Sequence, residues 1–135
     1  MKDKIEQAAQ LFQAGQPREA LEVLRPVTSG SPGMMRGQTL SARCWLALGH
    51  RDKALDHLAT VAGYVDKAPR PALARANLAR FYALADDWDT ATTILEVAVS
   101  QEPDNIELKV KHADMLANTG QWREALMIFE AAVKK

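Results

Sequence analysis

Apolar residues recur at intervals of three and four along most of the chain, which is the spacing that gives a helix one apolar face. They fall into segments on either side of short polar turns. Before the first turn stand Ala8, Leu11 and Phe12, and after it stand Ala20 and Leu24. Three further turns have the same layout, so the pattern predicts about eight helices in four pairs and an all-α fold.

The turns themselves repeat. GQPREAL (15–21), GHRDKAL (49–55), DDWDTAT (86–92) and GQWREAL (120–126) follow one another in steps of 34, 37 and 34 residues. A fixed period of this length is typical of stacked helical repeats. The chain is therefore expected to be a single domain over residues 1–135, with repeats at about 1–34, 35–71, 72–105 and 106–135.

Two kinds of small residue keep their place in each turn. An alanine follows five residues after each turn begins, which predicts a point where two helices cross closely; these alanines are Ala20, Ala54, Ala91 and Ala125. Three of the turns begin with a glycine, namely Gly15, Gly49 and Gly120. Glycine suits the left-handed backbone conformation that often ends a helix. Asp86 holds this place in the third turn and tolerates that conformation less well.

Proline and glycine mark the boundaries between the pairs. The breaking segments are TSGSPG (28–33), KAPRP (67–71) and QEPDN (101–105). Pro26 is expected to end the second helix early, which leaves residues 27–33 as a looser connector.

The period and the helix-turn-helix layout resemble the tetratricopeptide repeat family over essentially the whole chain. Residues 72–105 match the family pattern most fully, at Leu78, Ala79, Tyr82, Ala91, Leu95, Ala98 and Pro103. The last copy matches it at Gly120, Trp122, Ala125, Phe129 and Ala132. The resemblance implies a right-handed α-solenoid of antiparallel helix pairs, whose first helices line a concave groove that receives a peptide or helix of a partner, as in scaffold, adaptor and co-chaperone proteins.

The resemblance also implies which side chains face that groove. The candidate partner-binding residues are Arg36, Thr39, Arg43, Asn77, Arg80, Lys111, Asp114 and Asn118. Arg43 and Arg80 are equivalent positions and could together hold an acidic segment or a terminal carboxylate. Alternatively, Arg80 pairs with Asp114 and the other side chains are a solvated face. The family's chaperone-binding members grip a carboxylate with a lysine and an asparagine where this chain has Ile5 and Ala9.

Charge and composition limit the classes of partner that the chain is expected to bind. The 17 basic and 17 acidic residues cancel, so no net field favours nucleic acid or an anionic membrane. Residues 1–71 nevertheless carry ten Lys and Arg against seven Asp and Glu, whereas residues 72–135 carry seven Lys and Arg against ten Asp and Glu.

No apolar stretch approaches the ~20 residues of a membrane span. The N-terminal residues do not form a signal peptide, and Cys44 is the only cysteine, so a cytoplasmic protein without disulfides is expected.

Few residues suggest other chemistry. Cys44, His50 and His57 could form a thiol-imidazole pair, but Cys44 lies among small packing residues. His112 has no partners at metal-ligand spacing. Asp86, Asp87 and Asp89 lack the glycine and glutamate of a calcium loop and are instead expected to form a turn and a helix N-cap. We predict no enzyme, no metal and no cofactor.

The tryptophans and the last helix carry two further expectations. Trp88 and Trp122 occupy equivalent positions just after their turns, and Trp45 lies inside a first helix. Aromatic residues at repeating positions are expected to pack between repeats, and the alternative is that they are exposed anchors for a partner. The last helix, predicted over residues 123–135, has no polar helix behind it, so we expect Ile128 and Ala132 to be covered by self-association or by a continuation of the chain. Two alternatives to a partner-binding module therefore stay open: a structural self-assembly element, and an accessory segment of a larger enzyme.

Overall fold

The structure, a computed structural model, describes residues 4–26 and 34–133 and contains only helices in these ranges. The α-helices are α1 (Lys4–Gln13), α2 (Pro17–Leu24), α3 (Met34–Ala47), α4 (Arg51–Ala62), α5 (Pro71–Leu84), α6 (Trp88–Gln101), α7 (Ile106–Asn118) and α8 (Trp122–Val133), with a 3₁₀ helix at Val65–Lys67. The predicted all-α fold of four helix pairs is confirmed. The chain divides into two compact units, Met1–Tyr64 with α1 to α4 and Val65–Lys135 with α5 to α8.

Each pair is closed by the same three-residue turn, at residues 14–16, 48–50, 85–87 and 119–121. The second residue of the turn has a positive φ in every copy: 82° at Gly15, 85° at Gly49, 66° at Asp86 and 85° at Gly120. In the first turn the Gly15 N–H donates to the Phe12 carbonyl at 3.0 Å, and the Gln16 N–H donates to the Leu11 carbonyl at 2.9 Å. This is the Schellman arrangement, which satisfies carbonyls that a helix end leaves unpaired.

The other turns repeat these bonds at equivalent residues. His50 donates to Trp45, Asp87 to Tyr82 and Gln121 to Leu116, all through the backbone. The predicted left-handed positions are thus confirmed, including the exception at Asp86. Since the bonds are between backbone groups, the turn depends on one residue that accepts a positive φ and on little else.

Alanines bring the two helices of each pair together. The predicted alanines of the second helices, Ala20, Ala54, Ala91 and Ala125, are at most 2% exposed. They are matched by a second set in the first helices, Ala8, Ala42, Ala79 and Ala113, which are fully buried. Small methyl side chains let the helix axes approach closely. Each crossing therefore involves two buried alanines, one from each helix of the pair, where the sequence predicted one.

Larger apolar residues surround these crossings. In the first unit, Leu24 of α2 packs with Leu40 and Cys44 of α3. In the second unit, Leu116 of α7 packs with Ala125 of α8, and Ile128 and Phe129 are only partly covered. Helix α2 ends at Leu24, before Pro26, as predicted. The predicted connector at residues 27–33 lies outside the described residues.

Candidate partner-binding surface

The candidate residues lie on the first helices of the last three pairs, at spacings of three and four that keep them on one side of each helix. Helix α3 carries Arg36, Thr39 and Arg43, and α5 carries Asn77 and Arg80. Lys111, Asp114 and Asn118 lie on α7. All are exposed except Thr39, which is half-buried. The hydroxyl of Thr39 donates to the Met35 carbonyl at 2.8 Å, within its own helix.

In the first unit, an aromatic ring positions Arg43. The guanidinium carbon of Arg43 on α3 lies 4.7 Å from the ring centroid of Phe12 on α1. A cation over an aromatic face is attracted by the ring quadrupole, and arginine is the residue that stacks best in this way. The charge of Arg43 is therefore held against the α1–α3 surface, which lowers the entropy that binding a partner would cost.

In the second unit, α5 presents a mixed face. Leu73 and Leu84 are 43% and 63% exposed, and Asn77 and Arg80 lie between them on the same side of the helix. Arg80 stacks on its neighbour Phe81, with 4.9 Å between the guanidinium carbon and the ring centroid. Arginine is enriched among the residues that dominate binding energy at protein interfaces.

The alternative pairing of Arg80 with Asp114 is not formed. Among the residues that the structure describes in the second unit, ion pairs join Arg70 to Glu102, Arg75 to Asp66 and His112 to Glu96, but none joins Arg80 to Asp114. Asn118 on α7 donates from Nδ2 to the Asp114 carbonyl at 2.8 Å. Arg43 and Arg80 belong to different units, so their place in one common groove stays a prediction.

Comparison with known proteins identifies the repeat. A family model for the tetratricopeptide repeat matches residues 11–78, and a second model for the same repeat matches residues 72–96. The chain belongs to the tetratricopeptide repeat family. Its turns, with their paired alanines, are thus the turns of TPR repeats. A search of curated proteins finds no match.

Solved TPR structures resemble the chain over nearly its whole length. The structure of a kinesin light chain-like protein of Podospora anserina, built from nearly identical TPR-like repeats, has a TM-score of 0.76 at 25% identity and covers 98% of this chain and 73% of its own. A structure of MamA has a TM-score of 0.67 at 18% identity and covers 97% of this chain and 75% of its own. Another, of MamA from AMB-1, has a TM-score of 0.66 at 18% identity, with coverages of 98% and 76%.

Trp122 differs from the packing role predicted for it. This first residue of α8 is 68% exposed, so it is not buried between TPR repeats. Trp45 makes an edge-to-face contact with His50, with 5.3 Å between ring centroids, and the Lys53 ammonium lies 4.5 Å from the centre of one of its rings. Trp88 donates from Nε1 to Asp86 at 3.1 Å. These contacts of Trp45 and Trp88 stay within one helix pair.

The cysteine and histidines do not assemble into reactive chemistry in the TPR fold. Cys44 is fully buried, and this burial raises the pKa of its thiol to about 11, although the nearby charge of Arg43 acts in the opposite direction. The thiol is therefore protonated at neutral pH and a poor nucleophile. Burial lowers the pKa of His57, against the effect of Asp56, and its Nδ1 shares a hydrogen bond with Gln38.

The acidic cluster is a turn, as predicted. Asp87 is the N-cap of α6, and its carboxylate accepts a hydrogen bond from the Thr90 N–H at 3.2 Å. Across residues 4–26 and 34–133, no three His, Cys, Asp or Glu side chains are grouped closely enough to hold a metal ion. Nor does that part of the chain include a helix long and apolar enough to cross a bilayer.

Sequence reasoning missed the extent of the apolar surface on α8. Besides Trp122, Leu126 and Met127 are 56% and 67% exposed. The predicted residues Ile128 and Ala132 are partly covered. The signal that could have found these exposed residues was the repeat itself, since α2 and α6 are each covered by the first helix of the next TPR copy.

Proposed function

We propose that this chain is a non-enzymatic protein-interaction module that binds a peptide or helical segment of a partner along its first helices. The observation that carries the proposal is the α5 face, where Leu73 and Leu84 are exposed on either side of Asn77 and Arg80. The two leucines are separated by three helical turns, or about 16 Å. A complementary segment carries two apolar side chains with an acidic residue between them.

The first unit supports the same reading. Arg43, stacked on Phe12, and the exposed Arg36 make the corresponding side of α3 basic. Ile5 and Ala9 of α1 are partly buried and pack against the core of this unit. They therefore offer apolar contacts where a carboxylate clamp would need a lysine and an asparagine, which favours a scaffold or adaptor over a co-chaperone. The single buried cysteine supports the cytoplasmic location that the sequence predicts.

Selection of random peptides by phage display against the full chain tests this proposal. Enriched peptides should carry an acidic residue flanked by apolar ones, and their affinity, measured by fluorescence anisotropy, should fall at least tenfold with Arg80→Glu. The matched control is Arg18→Glu, since Arg18 is also exposed but lies on the second helix of its pair. Circular dichroism should show unchanged helicity for both variants.

Arg43→Glu extends the test to the first unit, where it should weaken the same peptides if both arginines serve one ligand. Enriched peptides without acidic residues would contradict the proposal, as would an equal loss of affinity in the Arg18→Glu control. A loss of melting temperature in step with the loss of affinity would make Arg80 a structural residue instead.

A second candidate function, self-assembly, is favoured by a separate observation. The exposed apolar residues of α8, namely Trp122, Leu126 and Met127, lie on a second helix and not on the first-helix face described above. A surface of this kind on a soluble domain marks an interaction site. An accessory role in a larger enzyme has no comparable observation in its favour.

A further inference from the structure

Part of the exposed face of α8 is equivalent to the face that α2 and α6 each cover with the next helix. Leu126 is equivalent to Thr92 of α6 and to Leu21 of α2. Helix α7 packs against α6, and α3 packs against α2. Thr92 is buried, and Leu21 is partly buried and packs against the core of the first unit. The equivalents of Phe129 in these helices, Leu95 and Leu24, are buried as well. The strip of α8 along Leu126 and Phe129 is therefore equivalent to a surface that receives a helix, and the exposed Met127 lies beside it.

Helix α1 of a second copy does not fit this face. In α3 and α7, the side turned toward the preceding helix carries Cys44, which packs with Leu24 of α2, and His112, which lies near Glu96 of α6. By the repeat period, the equivalents of Ser41 and Cys44 in α1 are Gln7 and Gln10, and both are exposed. Covering two glutamines with an apolar helix would remove their hydration without replacing their hydrogen bonds, which is unfavourable. This polarity argues against head-to-tail stacking.

The charges on α8 instead suit a second α8. Arg123 and Glu130 are exposed and flank Leu126 and Met127 at helical spacing. They are seven residues apart, or about 10 Å along the axis, which is too far for them to pair within one chain. In an antiparallel pair of α8 helices centred between Leu126 and Met127, each Arg123 faces Glu130 of the other copy. A parallel pair would place like charges together, which is unfavourable.

We propose that the chain forms a two-fold symmetric dimer in which two α8 helices pack antiparallel. In this register Leu126 of each copy lies opposite Met127 of the other, and Trp122 lies opposite Ala131 of the other. Two Arg123–Glu130 pairs border the apolar contact. A two-fold contact of this type closes on itself and does not propagate into a filament. The proposal rests on the self-assembly function proposed above and adds the partner, the symmetry and the register.

Sedimentation equilibrium of the full chain over a wide range of concentrations tests the proposal. The expected result is a reversible monomer–dimer equilibrium that Leu126→Glu weakens at least tenfold, because burying the new carboxylate in the apolar contact would remove its hydration. The matched control is Val97→Glu, which introduces the same charge at an exposed valine of α6, another second helix. This control should leave the dimer dissociation constant unchanged.

A charge-exchange cycle tests the register. Arg123→Glu and Glu130→Arg should each weaken the dimer, because each places like charges opposite one another, and the double variant should restore it. Both changes suit the dipole of α8, so the helix itself is not disturbed. A monomer at every concentration, or association that Leu126→Glu does not affect, would overturn both self-assembly through α8 and the dimer. Association that depends on Leu126 but grows beyond a dimer, or is not restored in the double variant, would overturn the two-fold register alone.

Discussion

At the scale of single residues, the turn within each helix pair depends on a positive φ at its second residue. In the part of the chain that the structure describes, Asp86 is the one non-glycine residue with a positive φ. A β-carbon added at Gly15, Gly49 or Gly120 would meet no atom within 4 Å. Space is thus available at these sites, and the cost of a side chain there comes from the left-handed backbone itself.

We therefore expect Asp86→Gly to stabilise the protein by about 0.5–1 kcal/mol, since it removes this backbone strain. The gain is reduced by the loss of the exposed hydrogen bond from Trp88 to Asp86. Thermal unfolding followed by circular dichroism should show a melting temperature higher by about 2–4 °C.

The reciprocal variant Gly120→Asp is the control. It places aspartate at the equivalent position of the last turn and should lower the stability by about 1 kcal/mol. If Asp86→Gly melts below the unaltered protein, the carboxylate of Asp86 contributes more than the strain that it causes.

At the scale of helices, the alanine crossings determine how closely the members of a pair approach. Ala54 of α4 is fully buried, whereas Ala59 of the same helix is exposed. We expect Ala54→Leu to destabilise the protein by about 1–3 kcal/mol, because the larger side chain forces α3 and α4 apart. Ala59→Leu should change the stability by less than about 0.5 kcal/mol.

Urea unfolding of both variants measures the difference. Similar midpoints for Ala54→Leu and Ala59→Leu would mean that the α3–α4 pair repacks around a leucine without strain. The m-value should stay constant, since neither change alters the surface exposed on unfolding by much.

The pairs of helices were predictable because each pair is local in sequence. The period and the turn residues predicted each α-helix that the structure describes, and the last one begins one residue before its predicted start at Arg123. The 3₁₀ helix at Val65–Lys67 was not predicted, since the sequence suggested only a loop around the following prolines. Its Asp66 pairs with Arg75, which also bonds to Gln101 at 2.9 Å, and contacts between such distant positions have no periodic signal.

The candidate surface was predictable in part for the same reason. Helical spacing correctly put Arg36, Arg43, Asn77 and Arg80 on exposed faces. The stacking of Arg43 on Phe12 was not predicted, because it depends on how α1 and α3 lie against each other. The burial expected for Trp122 was wrong, since a residue at a repeating position is covered only if a following helix covers it.

At the scale of the whole molecule, the proposed dimer connects stability to concentration. A ligand that binds only the folded state raises the melting temperature by mass action, and a second copy acts as such a ligand. Differential scanning calorimetry should therefore show a melting temperature that rises with protein concentration.

The Leu126→Glu variant should melt at the same temperature at every concentration. Val97→Glu, which leaves α8 intact, should retain the concentration dependence of the unaltered protein. A melting temperature of the unaltered protein that is independent of concentration would contradict this link between dimerisation and stability.

The four turns also explain how this fold persists while sequences diverge. Each copy depends on one residue that accepts a positive φ, two buried alanines and hydrogen bonds made entirely by the backbone. Most other positions are free to drift, provided that their apolar or polar character is kept. Two chains can thus retain the same architecture at 18–25% identity, as this chain and the solved structures do, because the few groups on which each turn depends leave the outer surface free to change.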